Sequence, residues 1–161
     1  MVYYYDYLTE IGKIRIIEEE HYIIGIRICD YELEGSVEKE TDLIRQTYQE
    51  IREYFDGKRR EFTIPLKLIG TEFQKRVWEE LRKIPYGETI SYKELACRIG
   101  NPKAVRAVGR ANGKNSIIIV VPCHRVINHN GKLGGYTGGL DVKRKLLKIE
   151  EQVKLVSVHT I

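Results

Sequence analysis

Cysteine is scarce in this chain. Three residues in 161, Cys29, Cys97 and Cys123, form an odd and widely spaced set. They offer neither a disulfide framework nor a zinc spacing such as CxxC, so no metal is expected, and a reducing cytoplasm fits. Long apolar runs are also missing. None approaches the ~20 residues of a membrane span, which excludes a membrane partner of that kind. No secretory signal is legible, because Met1-Val2-Tyr3-Tyr4-Tyr5-Asp6 reads as a strand. Repeats and low-complexity segments are absent. The four prolines, Pro65, Pro85, Pro102 and Pro122, serve as punctuation.

A hydrophobic share of 42% with 31% charged residues describes a folded chain, long enough for one ordinary domain or two small ones. The charge is unevenly divided. Residues 1–70 carry 10 Lys and Arg against 15 Asp and Glu, whereas residues 71–161 carry 17 against 8. A basic half of this kind is a footprint of a polyanionic partner, nucleic acid first among them.

Apolar and β-branched segments predict strands near residues 2–8, 12–18 and 21–29, with Glu18-Glu19-Glu20-His21 as a hairpin connection. Ile44, Tyr48, Ile51 and Phe55 recur at steps of four, three and four, which predicts an amphipathic helix over 40–56 closed by Gly57. Phe62-Thr63-Ile64-Pro65-Leu66 reads as a short edge strand, since Pro65 excludes a central one. The segment near 66–70 links two domains, 1–68 and 69–161.

Thr71-Glu72-Phe73-Gln74 opens the second domain as a capping box, and Phe73, Val77, Leu81 and Ile84 share one helical face until Pro85-Tyr86-Gly87. Ser91-Tyr92-Lys93-Glu94 is a second capping box, whose short helix closes at Gly100. Asn101 is placed to cap a further helix, with Pro102 in its first turn, running toward Gly113. Two short helices joined by a glycine-containing turn predict a helix-turn-helix. Lys103, Arg106 and Arg110 are three and four apart, so they fall on one face, opposite Val105 and Val108.

The chemistry centres on Val121-Pro122-Cys123-His124-Arg125-Val126-Ile127. The preceding run, Ile117-Ile118-Ile119-Val120-Val121, reads as a buried strand that Pro122 ends. Cys123 would then sit at the end of a rigid element, beside a histidine able to generate the thiolate. Most free cysteines are buried apolar residues, but three features add to the pair. Asn115 starts the apolar run, Gly134-Gly135-Tyr136-Thr137-Gly138-Gly139 follows, and Glu150 ends a helical pattern from which it could orient an imidazole.

These motifs resemble those of the O6-alkylguanine-DNA alkyltransferases, also called methylated-DNA–protein-cysteine methyltransferases. The resemblance rests on Pro122-Cys123-His124-Arg125-Val126 and Gly135-Tyr136-Thr137-Gly138-Gly139-Leu140. It extends to Gly70-Thr71-Glu72-Phe73-Gln74, Val77-Trp78, Ile84-Pro85-Tyr86-Gly87, Ser91-Tyr92 and Asn101-Pro102-Lys103-Ala104-Val105-Arg106-Ala107-Val108-Gly109. It covers the chain from about residue 65 to residue 150; the N-terminal third matches in length and general pattern only. The implied fold is α/β in two small domains: an N-terminal ribonuclease-H-like unit with an antiparallel sheet, and a mostly helical, winged-helix-like C-terminal domain.

The implied activity is DNA repair by direct reversal. A monomer binds double-stranded DNA and flips out O6-alkylguanine, or O4-alkylthymine. The alkyl group passes irreversibly to Cys123, once per molecule and without a cofactor. The resemblance makes His124 the base, Glu150 its partner, Asn115 a support of the turn behind the site, and Tyr92 a donor toward the base. Ser91, Tyr92, Lys103, Ala104, Arg106, Ala107, Gly109 and Arg110 would face DNA in the minor groove. There Arg106 replaces the flipped nucleotide, and small residues allow close approach. Val126, Tyr136, Thr137 and Gly138 would line the pocket, whereas Cys29 and Cys97 are expected to be packing residues. The Cys-His-Glu set by itself also permits a cysteine hydrolase. Two further alternatives are a non-enzymatic damage sensor, which would lack Cys123, and a regulator, which would need a cysteine-zinc domain.

Overall fold

In the structure, a computed structural model, residues 1–28, 32–128, 130–134, 136 and 139–159 are described, residues 156–159 by backbone alone. The chain divides into two compact units, Met1–Ile69 and Gly70–Ile161. The first contains β1 (Val2–Thr9), β2 (Gly12–Glu19), β3 (Tyr22–Arg27), β4 (Ser36–Glu38) and α1 (Asp42–Phe55). The sheet order is β3-β2-β1-β4. The three long strands are antiparallel, as expected, but β4 runs parallel to β1, so the sheet is mixed. Strands β3 and β4 point the same way and lie on opposite edges, which demands a crossover instead of another hairpin.

The β2–β3 connection is a two-residue turn, with Glu20 and His21 both at positive φ (50° and 69°). That handedness matches the twist of the flanking strands. Central β2 buries Ile14, Ile16 and Ile17. Its buried Arg15 is paired within the sheet, where Asp6 of β1 accepts from it at 2.8 and 3.0 Å and the Tyr4 ring lies 4.4 Å away. Helix α1, capped by Thr41, packs against β2 with Ile44, Ile51 and Tyr54 wholly buried. The expected edge strand over 62–66 is reduced to one bridge, Leu66 to Ile23, held by hydrogen bonds from Ile23 N to Pro65 O and from Lys67 N to Ile23 O.

The second unit contains α2 (Glu72–Leu81), β5 (Ile90–Ser91), α3 (Tyr92–Arg98), α4 (Val105–Gly113), a 3-10 turn (Cys123–Arg125), β6 (Val126–Ile127) and α5 (Leu140–His159). The capping box of α2 is complete, with Thr71 and Gln74 bonded in both directions. Ser91 caps α3, but Glu94 pairs with Arg98 and does not return a bond to the cap. Helix α4 starts later than expected. Asn101 N closes α3 on Ala96 O, and residues 101–104 form a turn, so Ala104 is the cap residue and lacks a capping side chain. Lys103 therefore lies in the turn and not on the helix. Trp78 Nε1 donates to Ala111 O at 2.8 Å, locking α2 against α4.

Candidate functional site

The apolar run before Cys123 is not a strand. Ile117, Ile118, Ile119 and Val121 are buried as expected, but their backbone folds into a tight turn with Val121 N bonded to Ile117 O and Val120 N to Ile118 O. Ile119 takes φ 73°, a conformation that a β-branched residue rarely adopts. Asn115 replaces the missing ladder. Its Oδ1 accepts from Ile117 N at 3.0 Å, and its Nδ2 donates to Val121 O at 2.8 Å and to Ile117 O at 3.4 Å. The same Nδ2 lies 3.1 Å from Cys123 Sγ. Asn115 thus supports the turn, as expected, and also touches the thiol.

Cys123 opens the 3-10 turn and is 1% exposed. Burial pushes its thiol up to about 11, against the opposing pull of the Asn115 amide and the Lys143 charge. The thiol is therefore protonated at neutral pH, and a reaction through the thiolate requires a base. His124, wholly buried, donates from Nε2 to Glu150 Oε2 at 2.6 Å. This bond sets the tautomer in which Nδ1 is the acceptor, and Nδ1 is buried with no hydrogen-bond partner among the described residues. Burial lowers the imidazole pKa, and Glu150 opposes that shift.

Glu150 does not end its helix; α5 continues to His159. Burial would raise its carboxyl, but the hydrogen bonds and charges of His124 and Arg125 hold it well below the usual carboxylate range. Arg125 meets it from Nε at 2.8 Å and Nη2 at 3.1 Å, and Gly87 N adds a bond at 3.0 Å. The fork of Arg125 also reaches Ile84 O at 2.7 Å. The sequence reading assigned Arg125 no role. Its one signal was its place in the Pro-Cys-His-Arg motif.

Parallel pairing of β5 with β6, Ile90 to Val126 and Ser91 to Ile127, carries Tyr92 to the mouth of a cleft of about 620 Å³. Tyr92, Arg106, Gly109, Asn112, Gly134 and Tyr136 are among the residues lining it. Gly134 has φ 69°, and a Cβ there would lie 3.0 Å from Tyr92 Oη, so only glycine lets the loop approach the tyrosine so closely. Burial keeps both phenols protonated, raising Tyr92 and raising Tyr136 well above its ordinary value. The Tyr136 hydroxyl is buried beside the thiol and makes no well-formed hydrogen bond among the described residues.

Arg106 and Arg110 are exposed and one helical turn apart on α4, and Lys103 is exposed in the turn before it; Ala104, Ala107 and Gly109 are half-buried. Val126 is buried in β6 behind the cleft, with its carbonyl accepting from Lys143 Nζ at 2.7 Å. Thr137 and Gly138 lie outside the described residues, as does Cys29. Cys97, expected to be a packing residue, is exposed.

Two buried polar residues escaped the sequence reading. Lys143 bonds the Val126 and Leu133 carbonyls, tying the loop that carries Tyr136 to β6, and burial lowers its ammonium to about 8. Asn112, 2% exposed, donates to Cys123 O at 3.3 Å. Neither was visible beforehand, because a lysine among helical lysines and an asparagine before glycine read as ordinary surface.

The profile of the 6-O-methylguanine DNA methyltransferase DNA-binding domain matches residues 72–152, and that of the ribonuclease-like domain matches residues 2–68. A methylated-DNA–protein-cysteine methyltransferase of Methanosarcina acetivorans is 44% identical over 156 residues, covering 92% of this chain and 98% of that protein. The constitutive enzyme of the same name in Bacillus subtilis is 42% identical, covering 93% and 96%. The crystal structure of Mycobacterium tuberculosis OGT in complex with DNA superposes with a TM-score of 0.89 at 41% identity, covering 94% of each chain. With both domain profiles matched in order and relatives aligned almost end to end, this chain belongs to the methylated-DNA–protein-cysteine methyltransferase family.

Proposed function

We infer that Cys123 is the acceptor to which this chain transfers an alkyl group from O6 of guanine in double-stranded DNA. Repair of DNA by alkyl transfer is the activity of the family. The observation that carries the assignment to Cys123 is its setting: a buried thiol bonded to Asn115 at 3.1 Å, next in the chain to a histidine held by Glu150 at 2.6 Å. The thiol proton passes to His124 Nδ1, directly or through a water, and Glu150 balances the imidazolium. The thiolate forms a bond to the alkyl carbon, the bond from that carbon to O6 breaks, and the electron pair leaves with guanine. Donation from the Tyr92 phenol stabilises the leaving base. The balance closes without a cofactor. A thioether has no acyl carbon for water to attack, so the protein reacts once.

Arg106 and Arg110 on α4, with Lys103 before it, form the DNA-facing surface, and Arg106 at the cleft replaces the extruded nucleotide. Ser91 and Tyr92 border the same entrance; Val126 and Tyr136 belong to the base pocket. One chain carries all of these groups, so the acting unit is a monomer, and a reactive free thiol suits the cytoplasm. Among the described residues, no helix is long and apolar enough to cross a membrane. The matched family profiles and relatives do not favour the hydrolase alternative. The sensor alternative does not fit a chain that retains Cys123.

Intact mass after incubation with duplex DNA containing O6-methylguanine tests the assignment. One added methyl group, located on the Cys123 peptide, is the expected outcome. A methyl group on another residue, or none, would overturn it.

A further inference from the structure

The turn Ile84-Pro85-Tyr86-Gly87 carries none of the reacting groups, yet two of its backbone groups end at Glu150 and Arg125. Gly87 N donates to Glu150 Oε1 at 3.0 Å, and Ile84 O accepts from Arg125 Nη1 at 2.7 Å. Gly87 holds φ 80°, and a Cβ there would lie 3.1 Å from the Lys154 side chain, so glycine suits the amide to its place. The Tyr86 ring lies 5.6 Å from the guanidinium. Pinned in this way, the fork of Arg125 meets both carboxylate oxygens, Oε1 from Nε at 2.8 Å and Oε2 from Nη2 at 3.1 Å. The pair is almost dry, with side chains 7% and 1% exposed.

His124 shares Oε2 with Arg125. In a dry site a lone carboxylate would favour the charged imidazole, with protons on both nitrogens. Such an imidazolium has no acceptor on Nδ1 and cannot take the thiol proton. The guanidinium cancels the carboxylate charge but leaves the bond to Nε2 in place, so the ring is oriented without being charged. The other groups about the ring do not restore the attraction. Lys143 acts from α5 as a second cation. Tyr92 and Tyr136 are neutral phenols, and Cys123 is a neutral thiol at neutral pH. Helix α2 packs on the same turn, and its buried side chains are Val77, Trp78 and Leu81. Burial first, then the charges of Arg125 and Lys143, depress the imidazole against the pull of Glu150.

We propose that Arg125 is a positioning residue that offsets the charge of Glu150 and so keeps His124 a neutral acceptor for the thiol proton. The proposal rests on the alkyl-transfer reading above and adds a residue to it that touches neither the thiol nor the base.

The first measurement is a titration of the His124 imidazole by nitrogen NMR in wild type, R125K and R125Q, over the range where each stays folded. Wild-type His124 is expected to stay neutral, with its proton on Nε2, as pH falls past the ordinary ~6.5. R125K keeps the charge and should follow wild type. R125Q removes it, and its imidazole should take up a proton about one pH unit higher, the effect of one charge at close range. The acid limb of alkylation by free O6-benzylguanine should move with it. Both variants lose the fork, so their plateau rates fall; the position of the limb is the readout. Stability reads the same charge independently. On acidification the imidazolium of R125Q takes over as counter-ion of Glu150, so its deficit against wild type in urea unfolding should be smaller at about pH 5 than at about pH 8. A wild-type His124 that charges at or above ~6.5 would overturn the proposal, as would a limb and a deficit indifferent to the loss of charge. Equal movement in R125K and R125Q would trace the effect to geometry and overturn it too. If folded wild type takes no benzyl group at all, the alkyl-transfer reading fails, while the titration still judges Arg125.

Discussion

Glu150 holds His124, Arg125 and the Gly87 amide at once, so its removal should register in both rate and stability. With the thiol pushed up to about 11, water alone supplies little thiolate at pH 7. E150Q is expected to slow alkylation by free O6-benzylguanine roughly 10²-fold at neutral pH, a common size for general-base assistance. The deficit should shrink as pH rises toward the thiol value, where hydroxide takes the proton. A pH–rate profile over the range where both proteins stay folded is the measurement. An equal loss at every pH would make the carboxylate a support and not a part of proton transfer. The folded carboxyl lies below its unfolded value, so its contribution to stability is complete above the unfolded pKa of ~4.3 and is lost as pH falls through the folded one. His124, depressed by burial, adds acid sensitivity from below ~6.5, where the unfolded chain takes up a proton that the folded one resists. E150Q also leaves the Arg125 charge buried without its counter-ion, at a cost of about 3–5 kcal/mol in denaturant unfolding.

At the level of elements, the turn before α4 and the helix itself divide the work on DNA. Lys103, exposed in the turn, should act on phosphate. K103A is expected to weaken binding to any duplex and to flatten the salt dependence by about one unit of slope. Arg106 lines the cleft, so R106A should slow repair of duplex DNA far more than reaction with free O6-benzylguanine, which needs no flipping. Equal losses on the two substrates would remove the wedge role from Arg106. Local chemistry made α1, α2 and α3 legible in the sequence, because periodicity and the caps Thr41, Thr71 and Ser91 act within a few residues. The start of α4 was misjudged because Asn101 is used to close α3. The run 117–121 was misjudged because apolarity reports burial, not backbone path. The side chain of Asn115, just before the run, supplies the bonds that a strand neighbour would have given.

For the whole molecule, a thioether at Cys123 has no route back to a thiol, so repair should stop at roughly one lesion per protein molecule. Sustained turnover without an added regenerating factor would contradict the chemistry. C123S should bind DNA and transfer nothing. Methylation places an extra carbon beside a sulfur that is 1% exposed and already bonded to Asn115. Overpacking of this kind costs about 1–3 kcal/mol. The melting temperature of the methylated protein should therefore fall by several degrees, at ~2–4 °C per kcal/mol for a chain of this size. An unchanged melting temperature would mean that the site yields space freely. By itself the sequence pointed to a two-part organisation and to Cys123-His124 as the candidate pair, and it determined the basic character of the second half and most helices. Each of these depends on neighbouring residues or on simple composition. Only the tertiary structure decided that His124, Arg125 and Gly87 share Glu150, that Lys143 clasps the pocket loop, and that Asn112 holds the Cys123 carbonyl. Those contacts join residues up to 63 positions apart, as in Gly87 and Glu150, and they depend on which polar groups burial has deprived of water.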